Sequence, residues 1–548
     1  MRKVSDLRRR VALLFREAQK RLEILEGRSF RSDAYRKAAE AVRALNGDDM
    51  LRDPENRRQI RGIGAALNKK IDEIIHTGTF EALERLRKQV PDGLLEILRV
   101  RGLGPGAVRQ LWHELGIRDL EGLHAACREG RLEGLKGWTA RRIRQVCEET
   151  AWYLTQRSFR LYADVEAEAE ELLRLFRDAY IAQDVHHAGD YRRKMPLIDR
   201  LRFLFITDEP NAVHDFFVQC AFLEGEAPPF LTQSGLPIEY VCAPADEAGT
   251  RWVEATGSDA FLQAVGPLPT APDEETLFQK IGWPVVPPPM REDLYNETQL
   301  KRFPYAELVA PEDIQGVVHV HTHWSDGVGS VEDMVRGALD AGFTYIALCD
   351  HSKSSRVAGG LDEARFEAQW REIDRVQEKF PQIKIIKGVE VDILKDGTLD
   401  FSPDFLRQFE LVIASIHQPL DIDADTATSR ILKAIESGVV HIIAHPSGRL
   451  LTRRRGYPLH YDTIFHAAAD HGVALELNAN PYRLDLDWRL IPQAAEAGCC
   501  FSINPDAHSI EDFDYIRYGV YMAQKGGLLK ERVLNTRSAI DYLSFFRR

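Results

Sequence analysis

From Val317 to His508 the chain repeats one arrangement: a short apolar run that ends in a histidine, aspartate or glutamate. The first run closes on His319-Val-His321, with Asp326 a turn later. Side chains alternate along a strand, so histidines two apart share a face and supply half of a metal site. The run from Tyr345 leads to Asp350-His351, that from Ile383 to Glu390, and that from Leu411 to His417. The run from His441 leads to His445, that from Ala474 to Asn478, and that from Phe501 to Asp506-Ala-His508. Helical periodicity fills the intervals, over 331–341, 365–380, 429–437, 463–471 and 491–497. Strands alternating with helices predict parallel βα units, and seven such strands predict a barrel with its functional groups at the C-terminal rim. A lone histidine in a strand is ordinarily a core or surface residue. Nine donors (His319, His321, Asp326, His351, Glu390, His417, His445, Asp506 and His508) at the ends of six strands predict a metal-holding rim.

His319-Val-His321-Thr, Ser325-Asp326-Gly, Asp350-His351-Ser, Gly388-Val-Glu390, Ala444-His445-Pro and Asp506-Ala-His508 resemble the PHP (polymerase and histidinol phosphatase) domain. His445-Pro-Ser-Gly-Arg449-Leu and Asn478-Ala-Asn480-Pro-Tyr-Arg483 bring the wording closest to bacterial family X DNA polymerases. The resemblance implies a distorted (β/α)7 barrel with three divalent ions. One ion would take His319, His321, Glu390 and Asp506. A second would share Glu390 and take His417 and His445, and a third Asp326, His351 and His508. Histidine-rich ligation favours Zn²⁺ or Mn²⁺ over Mg²⁺. Val317 stands where the family often has aspartate. Arg356, Arg449 and Arg483 are candidate phosphate anchors near the rim.

The front of the chain reads differently. Amphipathic helices are expected over 4–25, 31–45, 66–77 and 107–115. Ile60-Arg-Gly62-Ile-Gly64 precedes the third and Val100-Arg-Gly102-Leu-Gly104-Pro-Gly106 the fourth, and a degenerate copy surrounds Gly137. This is the helix-hairpin-helix pattern. Gly62, Gly64, Gly102 and Gly104 would let a DNA phosphate approach amides at a helix N-terminus, without reading bases. Residues 1–150 carry 32 Lys and Arg against 23 Asp and Glu, whereas the remainder carries 40 against 61. A basic front suits nucleic acid. The element order resembles DNA polymerase beta, and Lys70 falls where beta-type enzymes carry a lyase lysine. A phosphate-contacting role for Lys70 is the competing reading.

The middle resembles the same family's palm. His187-Ala-Gly189-Asp-Tyr-Arg192-Arg193 is similar to its triphosphate-gripping signature, with Asp190 in place of serine. The family's paired metal carboxylates align with Arg200 and Arg202, and the third with Glu239. Arginines there would repel the cations of two-metal phosphoryl transfer, so templated polymerisation is expected to be lost. The four arginines could instead line a basic cleft.

The expected organisation is therefore multidomain. Residues 1–85 and 86–158 form all-α helix-hairpin-helix domains, 159–282 an α+β polymerase-beta-like palm with a shortened thumb, 283–314 a proline-rich linker and 315–548 the PHP barrel. No apolar run is long enough to span a membrane, and seven cysteines without CxxC spacing are read as reduced, in a cytoplasmic monomer. The resemblance implies a 3′–5′ exonuclease acting on DNA in repair, with possible 3′-phosphatase or apurinic endonuclease activity. A phosphatase of small phosphomonoesters and a non-catalytic DNA-end scaffold are the alternatives.

Overall fold

The computed structural model describes residues 7–43, 45, 49–60, 62–220, 223 and 229–547; the start of the helix expected over 4–25 and one position of that over 31–45 lie outside them. The chain divides into two compact units, 1–158 and 159–548.

The first unit is helical and holds two apolar clusters. Val11, Phe15, Ala18 and Leu22 recur at helical spacing along Leu7–Glu26 and meet Tyr35, Ile71, Ile74 and Phe80. The second gathers Ile24, Leu94, Val100, Val108, Leu111 and Val146. Cys127 and Cys147, expected to be reduced, form a disulfide. They sit on the packed helices Leu120–Arg128 and Ala140–Gln156 with Cα atoms 5.6 Å apart, inside the bridging range, a proximity their spacing of 20 does not announce.

The second unit begins with a four-stranded sheet of β1 (Asp184–Ala188), β2 (Leu201–Ile206), β3 (Phe230–Leu231) and β4 (Pro237–Ala243), in the order β1-β2-β4-β3. The helix Tyr162–Asp178 presses Val165, Ala169 and Phe176 against Phe203 and Phe205. Seven parallel strands follow: β5 (Gly316–Val320), β6 (Tyr345–Leu348), β7 (Lys384–Asp392), β8 (Leu411–Ser415), β9 (Ile442–Ile443), β10 (Ala474–Asn478) and β11 (Phe501–Asn504). They hydrogen-bond in sequence order. Past β11, Ala507 reaches back to the end of β5: its N–H donates to the His319 carbonyl at 3.0 Å and its carbonyl accepts from His321 N at 2.8 Å. The barrel is thereby nearly closed. Both faces of its strands are covered, so they read as continuous apolar runs.

The segment 283–314, expected as a linker, is packed. Trp283, Val286, Met290 and Leu300 are buried with Val253, Phe261 and Phe278, and Val309 and Ile314 join the main core. Its prolines stiffen the backbone, but the apolar residues between them find partners. Lys525, on the helix Ile516–Lys525, is fully buried against this segment. Its Nζ donates to Glu292 at 2.6 Å and to the Arg193 carbonyl at 3.1 Å, and burial, partly offset by Glu292, pushes its pKa down to about 8.

Candidate metal centre

The barrel's closure gathers the nine predicted donors at one rim, with Glu390 as the hub. One carboxylate oxygen lies 3.0 Å from His445 Nε2 and 3.3 Å from His417 Nε2. The other lies 2.8 Å from His351 Nδ1, 3.4 Å from His319 Nε2 and 3.7 Å from His321 Nε2. Asp506 adds an oxygen 3.3 Å from His321 Nε2 and 3.6 Å from His319 Nε2. Asp326 Oδ1 stands 3.3 Å from His508 Nε2 and 3.5 Å from His351 Nε2. The three expected ligand groups thus recur as neighbours, but they interlock. His321 belongs to both the Asp506 and the Asp326 groups, and His351 bridges Asp326 and Glu390.

The backbone is bent to achieve this. His319, His445 and Asp506 have φ values of 64°, 27° and 53°, a left-handed region that costs a non-glycine residue about 1–3 kcal/mol. The β5–β6 register shifts between Val317 and Val320, around His319. Simple strand alternation, from which the His319–His321 pair was read, therefore does not describe this corner.

A second ring of polar groups aims the donors. Glu476, fully buried on β10, accepts from His319 Nδ1 at 2.6 Å, from His445 N at 2.7 Å and from Asn504 Nδ2 at 2.8 Å. Asp392 accepts from His417 Nδ1 at 2.6 Å and from Ser355 Oγ at 2.8 Å. Asp350 holds the loop bearing Asp326, accepting from Thr322 N at 2.9 Å and Ser325 Oγ at 2.5 Å. Such partners fix imidazole tautomers and orientation. Sequence reading missed Glu476 as a site residue, although Ala474, Glu476 and Asn478 alternate along one strand face and a lone glutamate between apolar neighbours was a signal.

The electrostatics are those of a cation-seeking pocket. Burial would raise Glu390 and Asp506, yet the surrounding histidines hold both carboxyls well below their ordinary range. Asp326 is held at about 2 by His508, His321 and His351 against its burial. Burial and the adjacent His508 and His351 push His321 down to about 4, which leaves a neutral imidazole with lone pairs to donate. Glu390 and Asp392 draw His417 up to about 10 despite its burial. Nε2 of His319, both ring nitrogens of His321, Nδ1 of His351 and one oxygen of Glu390 are buried without a hydrogen-bond partner. Buried polar atoms are seldom left so. Imidazole nitrogens and carboxylate oxygens converging on shared space fit a cluster of divalent transition-metal ions.

Of the candidate phosphate anchors, Arg483 reaches the centre, its Nε 3.3 Å from Asp506 Oδ2. Arg356 is exposed on the turn after His351. Arg449 donates to Asp487 and to the carbonyls of Arg483 and Leu484, and so braces the rim.

Residues 8–80 match the helix-hairpin-helix domain and residues 318–480 the PHP domain. The "DNA polymerase/3′-5′ exonuclease PolX" of Bacillus subtilis (strain 168) is 32% identical over 564 residues, which span 96% of this chain and 97% of that protein. The chain belongs to the PolX family. A "probable phosphatase" of Thermoanaerobacter sp. (strain X514) is 27% identical over 40% of this chain and 90% of its own. A histidinol phosphate phosphatase from Lactococcus lactis subsp. lactis Il1403, solved with zinc, L-histidinol and phosphate, is 18% identical, covers 39% of this chain and 94% of its own, and superposes with a TM-score of 0.31.

In the PolX-like middle, the four arginines suggested for a basic cleft each stand against a carboxylate. Arg192 makes a two-pronged pair with Glu274 at 2.6 and 2.9 Å and lies 3.6 Å over the Trp252 ring. Arg193 pairs with Glu292 at 2.9 Å and with Asp190. Both arginines are thus paired with carboxylates in this structure. Arg200 and Arg202 close on Glu239 at 2.5 and 2.6 Å, and β2 sets Arg202 directly opposite Glu239 on β4.

The PolX-like front presents its glycines as the motif requires. Gly62 and Gly102 have φ values of 98° and 85°, which only glycine adopts readily, and Gly64 and Gly104 cap the following helices. A methyl group on Gly64 or Gly104 would meet nothing within 4 Å. Their small size leaves open space at two helix N-termini. Lys70 lies along its own helix, its Nζ 3.2 Å from the Ala66 carbonyl.

Proposed function

We propose that the chain is a metal-dependent phosphodiesterase that removes nucleotides from the 3′ end of DNA in repair, and that its palm no longer polymerises. The single observation that carries the reading is the convergence on one Glu390 oxygen of buried imidazole nitrogens, several of which, like that oxygen, have no hydrogen-bond partner. His319, His321, Glu390 and Asp506, then His417 and His445, then Asp326, His351 and His508 would hold three ions, Zn²⁺ or Mn²⁺ by their chemistry. Such ions, when bound, supply Lewis acidity and water activation for attack on phosphorus.

The chain's own residues define the rest. Glu476 and Asp392 keep His319 and His417 in the tautomers that present Nε2 inward. Arg483, beside Asp506, would orient a non-bridging phosphate oxygen and stabilise charge that builds on it in the transition state. The two glycine-lined helix N-termini of the first unit would hold duplex or single-strand phosphates independently of sequence. In the palm, Glu239 already carries two guanidinium counter-charges, so it cannot also serve a cation pair; this supports loss of polymerisation.

The test is a 5′-labelled single strand incubated with Mn²⁺, with metal content measured in parallel. Stepwise shortening from the 3′ end is expected. Phosphate release from small monoesters alone would favour the second reading, a phosphatase, which the 27% identity of the barrel half to a probable phosphatase supports. Metal uptake without turnover of any phosphate ester would favour a DNA-end scaffold. Primer extension on a gapped template would overturn the assignment of the palm.

A further inference from the structure

The loop that follows His445 carries Arg453-Arg454-Arg455, three consecutive cations in a half of the chain whose charge is otherwise acidic. Its shape is fixed. Leu450 and Arg454 exchange backbone hydrogen bonds at 2.9 and 2.8 Å across a tip where Thr452 adopts a φ of 59°. Arg454 turns inward and donates to the Gly448 carbonyl at 2.7 Å. Arg453 and Arg455, on either side of it, are both exposed. Leu451 N donates to the Tyr482 carbonyl at 2.6 Å, which fastens this loop to the one after β10. The Arg453 guanidinium lies 4.1 Å over the Tyr482 ring.

Tyr482 is joined to Arg483, and Arg483 enters the metal centre beside Asp506. Outward from the candidate ligands stand a cation at the centre, an aromatic ring and the Arg453 guanidinium stacked on it, with Arg455 two residues on in the same braced loop. Arg483 would serve a phosphate at the centre. Exposed cations beyond it suit a substrate that continues past the scissile bond and carries more phosphates. An aromatic ring between cations also suits a base of a single strand, since stacking is indifferent to sequence.

Resting on the phosphodiesterase reading above, we propose that Arg453 and Arg455, with Tyr482, form the track for the backbone of a single-stranded polynucleotide whose end occupies the centre. These residues set a preference for polymers over small esters. The decisive experiment compares the Mn²⁺-loaded full chain with Arg453→Glu/Arg455→Glu, Arg454 being left in place because it closes the turn. The measured quantity is kcat/KM for a single-stranded oligonucleotide divided by kcat/KM for bis(4-nitrophenyl) phosphate, which cancels differences in folded fraction or metal loading. The ratio is expected to fall about tenfold, and the slope of log KM against log salt to drop by about 1.4, the counterions released by two single-strand phosphate contacts. Arg453→Lys/Arg455→Lys should restore the slope. An oligonucleotide-cleaving protein whose Glu variant keeps both ratio and slope overturns the track alone. Unmodified protein that hydrolyses small esters but shortens no oligonucleotide overturns the exonuclease reading and the track together.

Discussion

The barrel rim and the palm remnant both crowd carboxylates into partly buried space, yet they handle the charge in opposite ways. In and beside the palm three carboxylates are answered from within the chain: Glu239 by Arg200 and Arg202, Glu274 by Arg192 and Arg291, Glu292 by Arg193 and Lys525. At the rim Glu390, Asp506 and Asp326 face mostly histidines, several with buried nitrogens that bond to nothing. A guanidinium is permanently charged and saturates its partner. An imidazole can give up its proton and offer a lone pair to a guest. The same chain thus shows a closed electrostatic account and an open one, and only the open one can take up cations.

Four measurements can break or sharpen this contrast. The largest effect is expected at the hub. Glu390→Gln should remove bound metal and lower phosphoesterase turnover by at least about a thousandfold, beyond the ten- to hundredfold that residues outside the ligand set usually cost. Retained metal by elemental analysis and retained turnover would show that the rim does not depend on its central carboxylate.

Next comes the closed region. Glu274 is held at about 2, because the hydrogen bonds from Arg291 and Arg192 outweigh its burial. Its folded pKa is lower than its ordinary 4.5, so its stabilisation is complete above about 4.5 and drains away as pH falls towards 2. Glu274→Gln should cost about 3 kcal/mol at neutral pH and flatten the acid limb of a stability–pH curve from urea titrations. An unchanged acid limb would mean that the pair is not closed.

Third, Glu476→Gln should weaken metal affinity and turnover about ten- to hundredfold while the fold persists, because His319 loses its orienting acceptor. A loss as large as that of the Glu390 variant would promote Glu476 from support to ligand. Smallest of the four, Gly64→Val with Gly104→Val should lower affinity for DNA several-fold, visible as a shallower salt dependence, with a thermal midpoint close to that of the parent. Unchanged DNA affinity would leave the open space at those helix ends without a role.

Much of this was legible in residues whose role repeats with a period. Seven apolar runs, six of them ending in donors, marked the barrel, and the observed strands lie within a few residues of those runs. Gly62 and Gly102 announced left-handed turns because few other residues accept them. The counter-charges were not legible. Nothing in the sequence ties Arg192 to Glu274, 82 positions away, or Arg200 to Glu239, 39 positions away, so those arginines read as a basic surface. The packing of 283–314 was hidden because prolines signal a break in regular structure and say nothing about burial. Glu476 was hidden by its neighbours: a carboxylate inside an apolar strand looks like an interruption until the four groups that donate to it are brought together.

Lys525 ties the palm to the barrel. Its ammonium has left water altogether and is received by Glu292 and by two carbonyls, those of Arg193 and Pro289, contributed by the palm signature and the segment that follows it. Trimming away the palm and the segment after it would strand that charge on the flank of the barrel. A module can in this way be held in place by its neighbour's architecture, whatever chemistry it performs.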